Sequence, residues 1–330
     1  MTEQGKIDRK GARPASLFER ADTAFGLDPR GGGVKLPGVP EAQRRAPEPA
    51  PQRAPAPAPR TEAAAARLPQ HPAPAPDPAP AAPQPVAFRG PHAAIDRDHL
   101  RDGGLIVPED PVTGLLEEFR IVKRELLADA RAGATAVARR ILVCSPHSGE
   151  GKTYCATNLA IALAAERDLE VLLVDADVVN PSVTRRLGIE AEHGLMDALA
   201  DPAILPESMV IRTDIDGLFV LPAGTASARD AEWLASARTG EVLDRLTEGA
   251  PDRILIFDTP PALAASPAAE LAQHVGQALL VVRADETSRA ALEDAQQLLS
   301  ACGDIKLLLN AARYSPSGRR FGSYYGAKGK

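Results

Sequence analysis

The stretch "ILVCSPHSGEGKT" has the residue types and the spacing needed to bind a polyphosphate. An apolar run leads into a loop of small residues, and Lys152 and Thr153 then open a run with helical character. Backbone N–H groups of such a loop, and the positive end of the following helix, attract anions. Gly149 and Gly151 allow the backbone to approach the anion closely. Pro146 stands where the strict phosphate-loop pattern has glycine, so the match is to the strand, loop and helix context rather than to every position.

Two polar residues at the start of the helical run have expected partners in a complex of nucleotide and Mg²⁺. Lys152 is predicted to neutralise the β- and γ-phosphates, and the Thr153 hydroxyl is predicted to bind Mg²⁺. The residues predicted to contact the nucleotide here are Ser148, Gly149, Glu150, Gly151, Lys152, Thr153 and Tyr154.

Aspartates follow two other apolar runs. Asp175 and Asp177 lie in "VLLVDADVVNPS", and Asp258 lies in "ILIFDTPP". In an open α/β sheet, ligands bind at the carboxyl ends of the strands, and Mg²⁺ prefers oxygen ligands. Thr153, Asp175 and Asp258 are therefore predicted metal ligands. An aspartate after a strand can also cap a turn, and that alternative stays open for Asp177.

Short apolar runs and helical runs alternate along the second half of the chain. The apolar runs are "RILVCS", "EVLLVDAD", "LFVLPA", "RILIFDTPP", "ALLVVRA" and "IKLLLN". The helical runs between them include "TYCATNLAIALAAER", "DAEWLASARTGEVLDRLTE" and "SRAALEDAQQLLSAC". This alternation predicts an α/β domain over residues 106–312, with a doubly wound, mostly parallel sheet covered by helices on both faces.

The first part of the chain has a different composition. Fourteen of the thirty-nine residues from Pro47 to Pro85 are proline, and large apolar side chains are scarce. We therefore predict that residues 1–105 form a disordered, semi-stiff arm. Residues 16–27, "SLFERADTAFGL", follow a helical period and are either a stray helical turn or a short docking helix.

Charge and cysteine content limit the possible classes of protein. A net charge of -6 gives no indication of nucleic acid as a partner. The three cysteines lie in apolar runs without metal-ligand spacing, which is typical of buried thiols in a reducing compartment. The first residues show no secretory signal, and no apolar run approaches the ~20 residues of a membrane span. A cytosolic location is therefore expected.

The full set of motifs resembles the bacterial tyrosine kinases of polysaccharide export, and above all the stand-alone, exosortase-associated autokinases. The segments that carry the resemblance are "SPHSGEGKT", "LLVDADVVNPS", "LFVLPAG", "ILIFDTPP", "LLVVRADETSR" and "LLLN", within residues 112–330. The resemblance implies a P-loop NTPase fold of the partition and nitrogenase-iron-protein type. It also implies Mg-ATP binding, with Lys152, Asp175 and Asp177 as catalytic residues and Asn310 near adenine.

The same resemblance implies partners. A helix with an E-x-x-R-x-x-R pattern mediates self-association in this family, and "EEFRIVKRELL" supplies Glu117, Arg120 and Lys123. The alternative is an ordinary solvated charged face. The resemblance further implies a homo-oligomer held at the inner membrane by a membrane chain-length-determinant protein.

The last eighteen residues, 313–330, contain three of the four tyrosines of the chain. Tyr314, Tyr324 and Tyr325 lie among glycine, serine and basic residues, and we predict that they accept phosphate in a flexible tail. The alternative is a disordered terminus with incidental tyrosines.

Two other classes of function stay open. One is a positioning ATPase of the partition and division type, although His147 stands where that class has a signature lysine. The other is a nucleotide-sensing scaffold of a polysaccharide synthase complex. One departure from the kinase pattern is Val179, where many family members have a basic residue.

Overall fold

The computed structural model describes residues 84–312, which contain eight strands and nine α-helices. The strands are β1 His92–Ala93, β2 Arg140–Cys144, β3 Glu170–Asp175, β4 Ile211–Thr213, β5 Leu218–Leu221, β6 Arg253–Asp258, β7 Gln277–Arg283 and β8 Ile305–Asn310. The helices are α1 Arg97–Asp102, α2 Gly114–Gly133, α3 Lys152–Ala164, α4 Val183–Leu187, α5 Leu195–Ala200, α6 Asp230–Leu234, α7 Ala237–Thr247, α8 Pro267–Ala272 and α9 Arg289–Leu298.

The strands of this region form one sheet in the order β1-β4-β5-β3-β6-β2-β7-β8. Every neighbouring pair is parallel except β4 and β5, which are antiparallel. The predicted mostly parallel, doubly wound sheet is confirmed, and all six predicted strands are present. Strands β1 and β4, which were not predicted, run opposite to the other six.

Side chains of the central strands alternate between two hydrophobic cores. Ile141 and Val143 of β2 belong to the core that contains α2 and α3. Leu142 and Cys144 belong to the core on the other face, which includes side chains of α5, α7, α8 and α9. Because both faces are covered by helices, the strands are apolar along their whole length rather than at every second residue.

The predicted helix over residues 230–248 is divided in two. Helix α6 ends at Leu234, and Ser236 takes an extended conformation with φ −79° and ψ 159° before α7 begins. The Ser236 hydroxyl donates to the Trp233 carbonyl oxygen at 2.6 Å, so the serine satisfies a carbonyl at the end of one helix as it starts the next.

Ordered structure begins before the predicted domain boundary at residue 106. Strand β1 pairs with β4, and Phe88 is almost fully buried. The ring of Phe88 packs edge-on against Phe219 at 4.9 Å between centroids, and the Arg253 guanidinium lies 4.0 Å above it. A two-residue strand and a six-residue helix show too little periodicity to be recognised in the sequence. The predicted helix at residues 16–27 lies outside the described residues.

Within residues 84–312, no helix has both the length and the apolar composition needed to cross a bilayer.

Candidate nucleotide-binding site

The phosphate-loop sequence connects β2 to α3 at the carboxyl edge of the sheet. Gly149 and Gly151 have φ values of 83° and 97°, which are left-handed conformations that favour glycine. A Cβ atom at Gly151 would lie 2.2 Å from Asn310 Nδ2, so a side chain there would require the Asn310 amide to move. No side chain caps the N-terminus of the thirteen-residue helix α3, which leaves its first N–H groups available to an anion.

Lys152 and Asp177 form an ion pair beside this loop. The Lys152 Nζ atom lies 2.6 Å from Asp177 Oδ2, and the two side chains are 13% and 4% exposed. The structure thus brings together the predicted phosphate-binding lysine and the second aspartate of "DAD". Asp177 also accepts the Asn180 N–H at 3.1 Å, as a turn-capping aspartate does.

Asp175 and Asp258 lie directly opposite each other on the neighbouring strands β3 and β6. Both are fully buried, and burial raises the pKa of Asp175 to about 6 and that of Asp258 to about 7. For Asp258, the positive charge of Lys152 opposes the rise in pKa. Two buried carboxyl groups on neighbouring strands favour a bound cation or proton.

The two carboxyl groups differ in their hydrogen bonds. Asp175 accepts the N–H groups of Asp177, Ser182 and Val183 at 3.2, 2.9 and 3.0 Å. Neither oxygen of Asp258 has a hydrogen-bond partner of ordinary geometry, although the nearby Thr153 hydroxyl opposes the rise in its pKa. Asp175 therefore holds the "DADVVNPS" loop in place, whereas Asp258 has both oxygens available.

The residues present fit a hydrated Mg²⁺. The unpartnered oxygens of Asp258 are hard donors, and the Thr153 hydroxyl is buried at the start of α3, 3.3 Å from Ser182 Oγ. Among residues 84–312, no three His, Cys, Asp or Glu side chains are close enough to hold a metal ion by themselves.

The side chain of Glu150, a predicted nucleotide contact, is hydrogen-bonded within the protein. It is buried, accepts the His147 N–H at 2.8 Å and is hydrogen-bonded to the Thr287 hydroxyl. The Asn310 side-chain amide donates to the Glu150 carbonyl at 2.8 Å. Asn310, predicted to lie near adenine, is thus beside the loop and bonded to it.

The remaining predicted nucleotide contacts divide into two groups. Ser148 is exposed on the loop, next to Gly149. The Tyr154 hydroxyl donates to the Gly104 carbonyl at 2.8 Å, and its ring packs against the core that contains α2 and α3. The Tyr154 side chain therefore joins α3 to the segment after α1.

Val179, two residues after Asp177, is 75% exposed.

The predicted interface residues all lie on α2, but their side chains have different environments. Glu117 and Arg120 form an ion pair on the surface. Lys123 turns towards α3, where its ammonium donates to the Ala162 carbonyl at 2.8 Å and pairs with Glu166 at 2.7 Å. Lys123 is therefore engaged within its own chain. The predicted acceptors Tyr314, Tyr324 and Tyr325 lie outside the described residues.

The sequence did not identify Thr287 or Ser182 as site residues. Both follow strand ends at the same edge of the sheet, in "RADETS" and "DADVVNPS". Polar residues in the loops after parallel strands are the available signal, because ligands bind there in open α/β sheets.

Comparisons with known proteins agree with this architecture. The chain is 30% identical over 222 residues to EpsB of Ralstonia solanacearum, which is named as a candidate tyrosine-protein kinase. That match covers 67% of this chain but only 28% of EpsB, so the chain spans just over a quarter of that relative. Tyrosine-protein kinase YwqD of Bacillus subtilis is 28% identical over 226 residues, which cover 68% of this chain and 92% of YwqD.

A solved structure gives the same fold. The chimerical protein CapA2B2 superimposes with a TM-score of 0.52 at 23% identity, covering 67% of this chain and 93% of the other. Residues 136–309, more than half of the chain, match the ParA family, which is described as NUBPL iron-transfer P-loop NTPase. These residues include the phosphate loop, the three aspartates and the strands that position them, and the chain belongs to the ParA family of P-loop NTPases.

Proposed function

We propose that this chain is an ATP-dependent protein-tyrosine autokinase. The observation that carries the proposal is the convergence of Lys152, Asp177 and the unpartnered Asp258 at the phosphate loop. Relatives that share this domain, YwqD among them, are named tyrosine-protein kinases. Lys152, Asp175 and Asp177 are the proposed catalytic residues.

The chain's own groups account for binding and proton transfer. Lys152 leaves Asp177 and pairs with phosphate oxygens of ATP, which frees the Asp177 carboxylate. Asp175 is held by three backbone N–H groups, so Asp177 is the better placed base. A tyrosine hydroxyl gives its proton to Asp177, its oxygen bonds to the γ-phosphorus, and ADP leaves as the β–γ bridge breaks.

Thr153 and Asp258 are the side chains that would hold Mg²⁺, with Asp175 behind them on the neighbouring strand. When bound, Mg²⁺ supplies neutralisation of phosphate charge. Asn310 and the loop residues 148–153 complete the proposed ATP site.

The proposed acceptors are Tyr324 and Tyr325, with Tyr314 as a weaker third. They lie in a proposed tail, residues 313–330, and are phosphorylated in trans within a homo-oligomer. The surface pair Glu117 and Arg120 contributes to that assembly. Lys123 contributes indirectly, because its pairing with Glu166 holds α2 against α3. Residues before the folded core are proposed to form an arm that carries a docking helix at 16–27.

The biological role follows from the resemblance to kinases of polysaccharide export. We place the chain in the cytoplasm, at the inner membrane, where a membrane chain-length-determinant protein would bind it. Autophosphorylation would regulate exopolysaccharide synthesis and chain length by changing the charge of the basic tail.

Incubation of the purified chain with Mg-ATP, followed by detection of phosphotyrosine and ADP, tests the proposal. A kinase forms both, and Lys152→Met forms neither. A positioning ATPase would release ADP without phosphotyrosine, and a nucleotide-sensing scaffold would bind ATP and release no ADP.

A further inference from the structure

We propose that the Glu150 carboxylate and the Thr287 hydroxyl form a clamp that holds the phosphate loop in its binding conformation. The inference rests on the loop being a nucleotide site. It makes Glu150 and Thr287 positioning residues, whose side chains act through the loop and do not themselves touch the nucleotide.

A carboxylate inside an anion-binding loop needs an explanation. A free negative charge at Glu150 would repel the phosphates that the loop attracts. Glu150 is only 5% exposed, and its two oxygens are directed to separate donors, the His147 N–H at 2.8 Å and the Thr287 hydroxyl. Hydrogen bonds to a charged acceptor are stronger than neutral ones, so the charge is used to fix the loop.

The clamp belongs to a larger set of contacts from β7 and β8. The Arg283 backbone N–H donates to the Thr287 hydroxyl oxygen at 2.9 Å, which fixes the position of Thr287. The Arg283 guanidinium donates to the Gly149 carbonyl at 3.3 Å. The Asn310 amide donates to the Glu150 carbonyl at 2.8 Å. Two successive carbonyls of the loop are therefore held from the same side.

This arrangement has a consequence for the N–H groups. In a trans peptide the carbonyl and the N–H of one planar unit point in opposite directions. When the Gly149 and Glu150 carbonyls are held towards β7 and β8, the N–H groups of Glu150 and Gly151 point to the other side of the loop. These are the dipoles that a phosphate group would meet, and the clamp preorganises them before any ligand binds.

The test compares Thr287→Val, which removes the hydroxyl but keeps the shape, with Thr287→Ser, which keeps the hydroxyl. Titration calorimetry of the full chain measures the affinity for ATP and for ADP. Because the hydroxyl bonds a charged group, Thr287→Val should weaken both affinities about tenfold. Thr287→Ser should bind like the wild type. In a double-mutant cycle, adding Glu150→Gln to Thr287→Val should cost less than the two separate losses combined, because both changes break one contact.

Arg283→Met supplies a second variant in case the Thr287 change impairs folding, because Arg283 is 39% exposed. It should weaken ATP binding without changing the melting temperature. A lower melting temperature with wild-type affinity in Thr287→Val, or wild-type affinity in both variants, overturns the clamp. If the wild type binds ATP but forms no phosphotyrosine, the proposed kinase activity is contradicted instead, so the two failures are distinguishable.

Discussion

The Lys152 ammonium lies 2.6 Å from the Asp177 carboxylate, and the pair is almost buried beside the phosphate loop. A buried ion pair of this kind is stabilised by the short contact between its charges, but both charged groups lose their hydration. Phosphate oxygens are negatively charged, as the Asp177 carboxylate is, and they can also accept hydrogen bonds from the N–H groups of the loop. We infer that nucleotide binding exchanges the partner of Lys152 and thereby exposes Asp177 as a base.

Lys152→Met should abolish phosphotyrosine formation and weaken ATP binding at least tenfold, because charge-assisted contacts are worth about 1.5–3 kcal/mol each. Asp177 then stays buried without its partner, so the free energy of unfolding should also fall by about 1–3 kcal/mol. Calorimetric ATP titration and denaturant unfolding measure the two effects. Lys306→Met is the matched control, because Lys306 of β8 pairs with Asp129 of α2 and with Asp304, and its loss should leave ATP affinity intact. Wild-type ATP affinity in Lys152→Met would contradict the site assignment.

The two loop glycines should respond differently to alanine. Both have positive φ, so each substitution should cost about 1–2 kcal/mol of backbone strain. Only at Gly151 does a Cβ also meet Asn310, at 2.2 Å, whereas nothing lies within 4 Å at Gly149. We expect Gly151→Ala to weaken ATP binding far more than Gly149→Ala in parallel titrations. Equal losses would show that strain alone matters.

Asp258 should make the stability of the nucleotide-free protein depend on pH. Its pKa in the folded chain, about 7, lies above the ordinary value, so the folded state holds a proton that the unfolded state releases. The free energy of unfolding therefore falls as pH rises from about 4 to 7. Asp258→Asn cannot titrate, and at pH 8 it should be more stable than wild type by up to about 4 kcal/mol.

Thermal unfolding at pH 5 and pH 8, without Mg²⁺ or nucleotide, measures that difference, which should shrink at pH 5. Asp175→Asn is the control from the opposite strand. It should be destabilising because Asp175 accepts three backbone N–H groups that an amide oxygen cannot all retain. If Asp175→Asn stabilised the protein at pH 8 as much as Asp258→Asn does, the distinction between the two carboxyl groups would be refuted.

Glu117→Ala with Arg120→Ala should reduce self-association and labelling between subunits while ATP affinity stays the same. The pair lies on α2, away from the phosphate loop, and is a surface pair worth at most about 1 kcal/mol to folding. Arg289→Ala with Glu293→Ala removes a comparable surface pair on α9 and should have no effect on assembly. Light scattering measures self-association, and labelling of a catalytically dead chain measures phosphorylation between subunits. An unchanged oligomer would remove α2 from the interface.

The sequence predicted the architecture well because the central strands are buried on both faces. Runs such as "RILIFD" are continuous, and their order with the intervening helices leaves few topologies. The loop at residues 146–153 was also predictable, since Gly-Lys-Thr between an apolar run and a helical run is typical of a phosphate loop.

The partners of each polar side chain could not be predicted from spacing. Glu150 lies inside the phosphate loop, yet its carboxylate contacts Thr287, 137 residues further along the chain. Lys123 fits the charged pattern of α2, but the packing of α2 on α3 brings it to Glu166. Such contacts depend on how elements pack, and the periodicity of one element does not contain that information. The structure before residue 106 was missed for a related reason, because β1 pairs with β4 and Phe88 packs against Arg253, both distant in the sequence.

Labelling in trans tests the central claim most directly. A chain that lacks residues 313–330 keeps every proposed ATP ligand and is mixed with full-length Lys152→Met in Mg-ATP. We predict phosphate on Tyr324 and Tyr325 of the Lys152→Met chain, with less on Tyr314, which lies only four residues beyond Asn310. Mass spectrometry of tryptic peptides locates the phosphate. Release of ADP with no phosphotyrosine, or phosphate found only on Tyr154, whose hydroxyl is bonded to Gly104, would contradict the account.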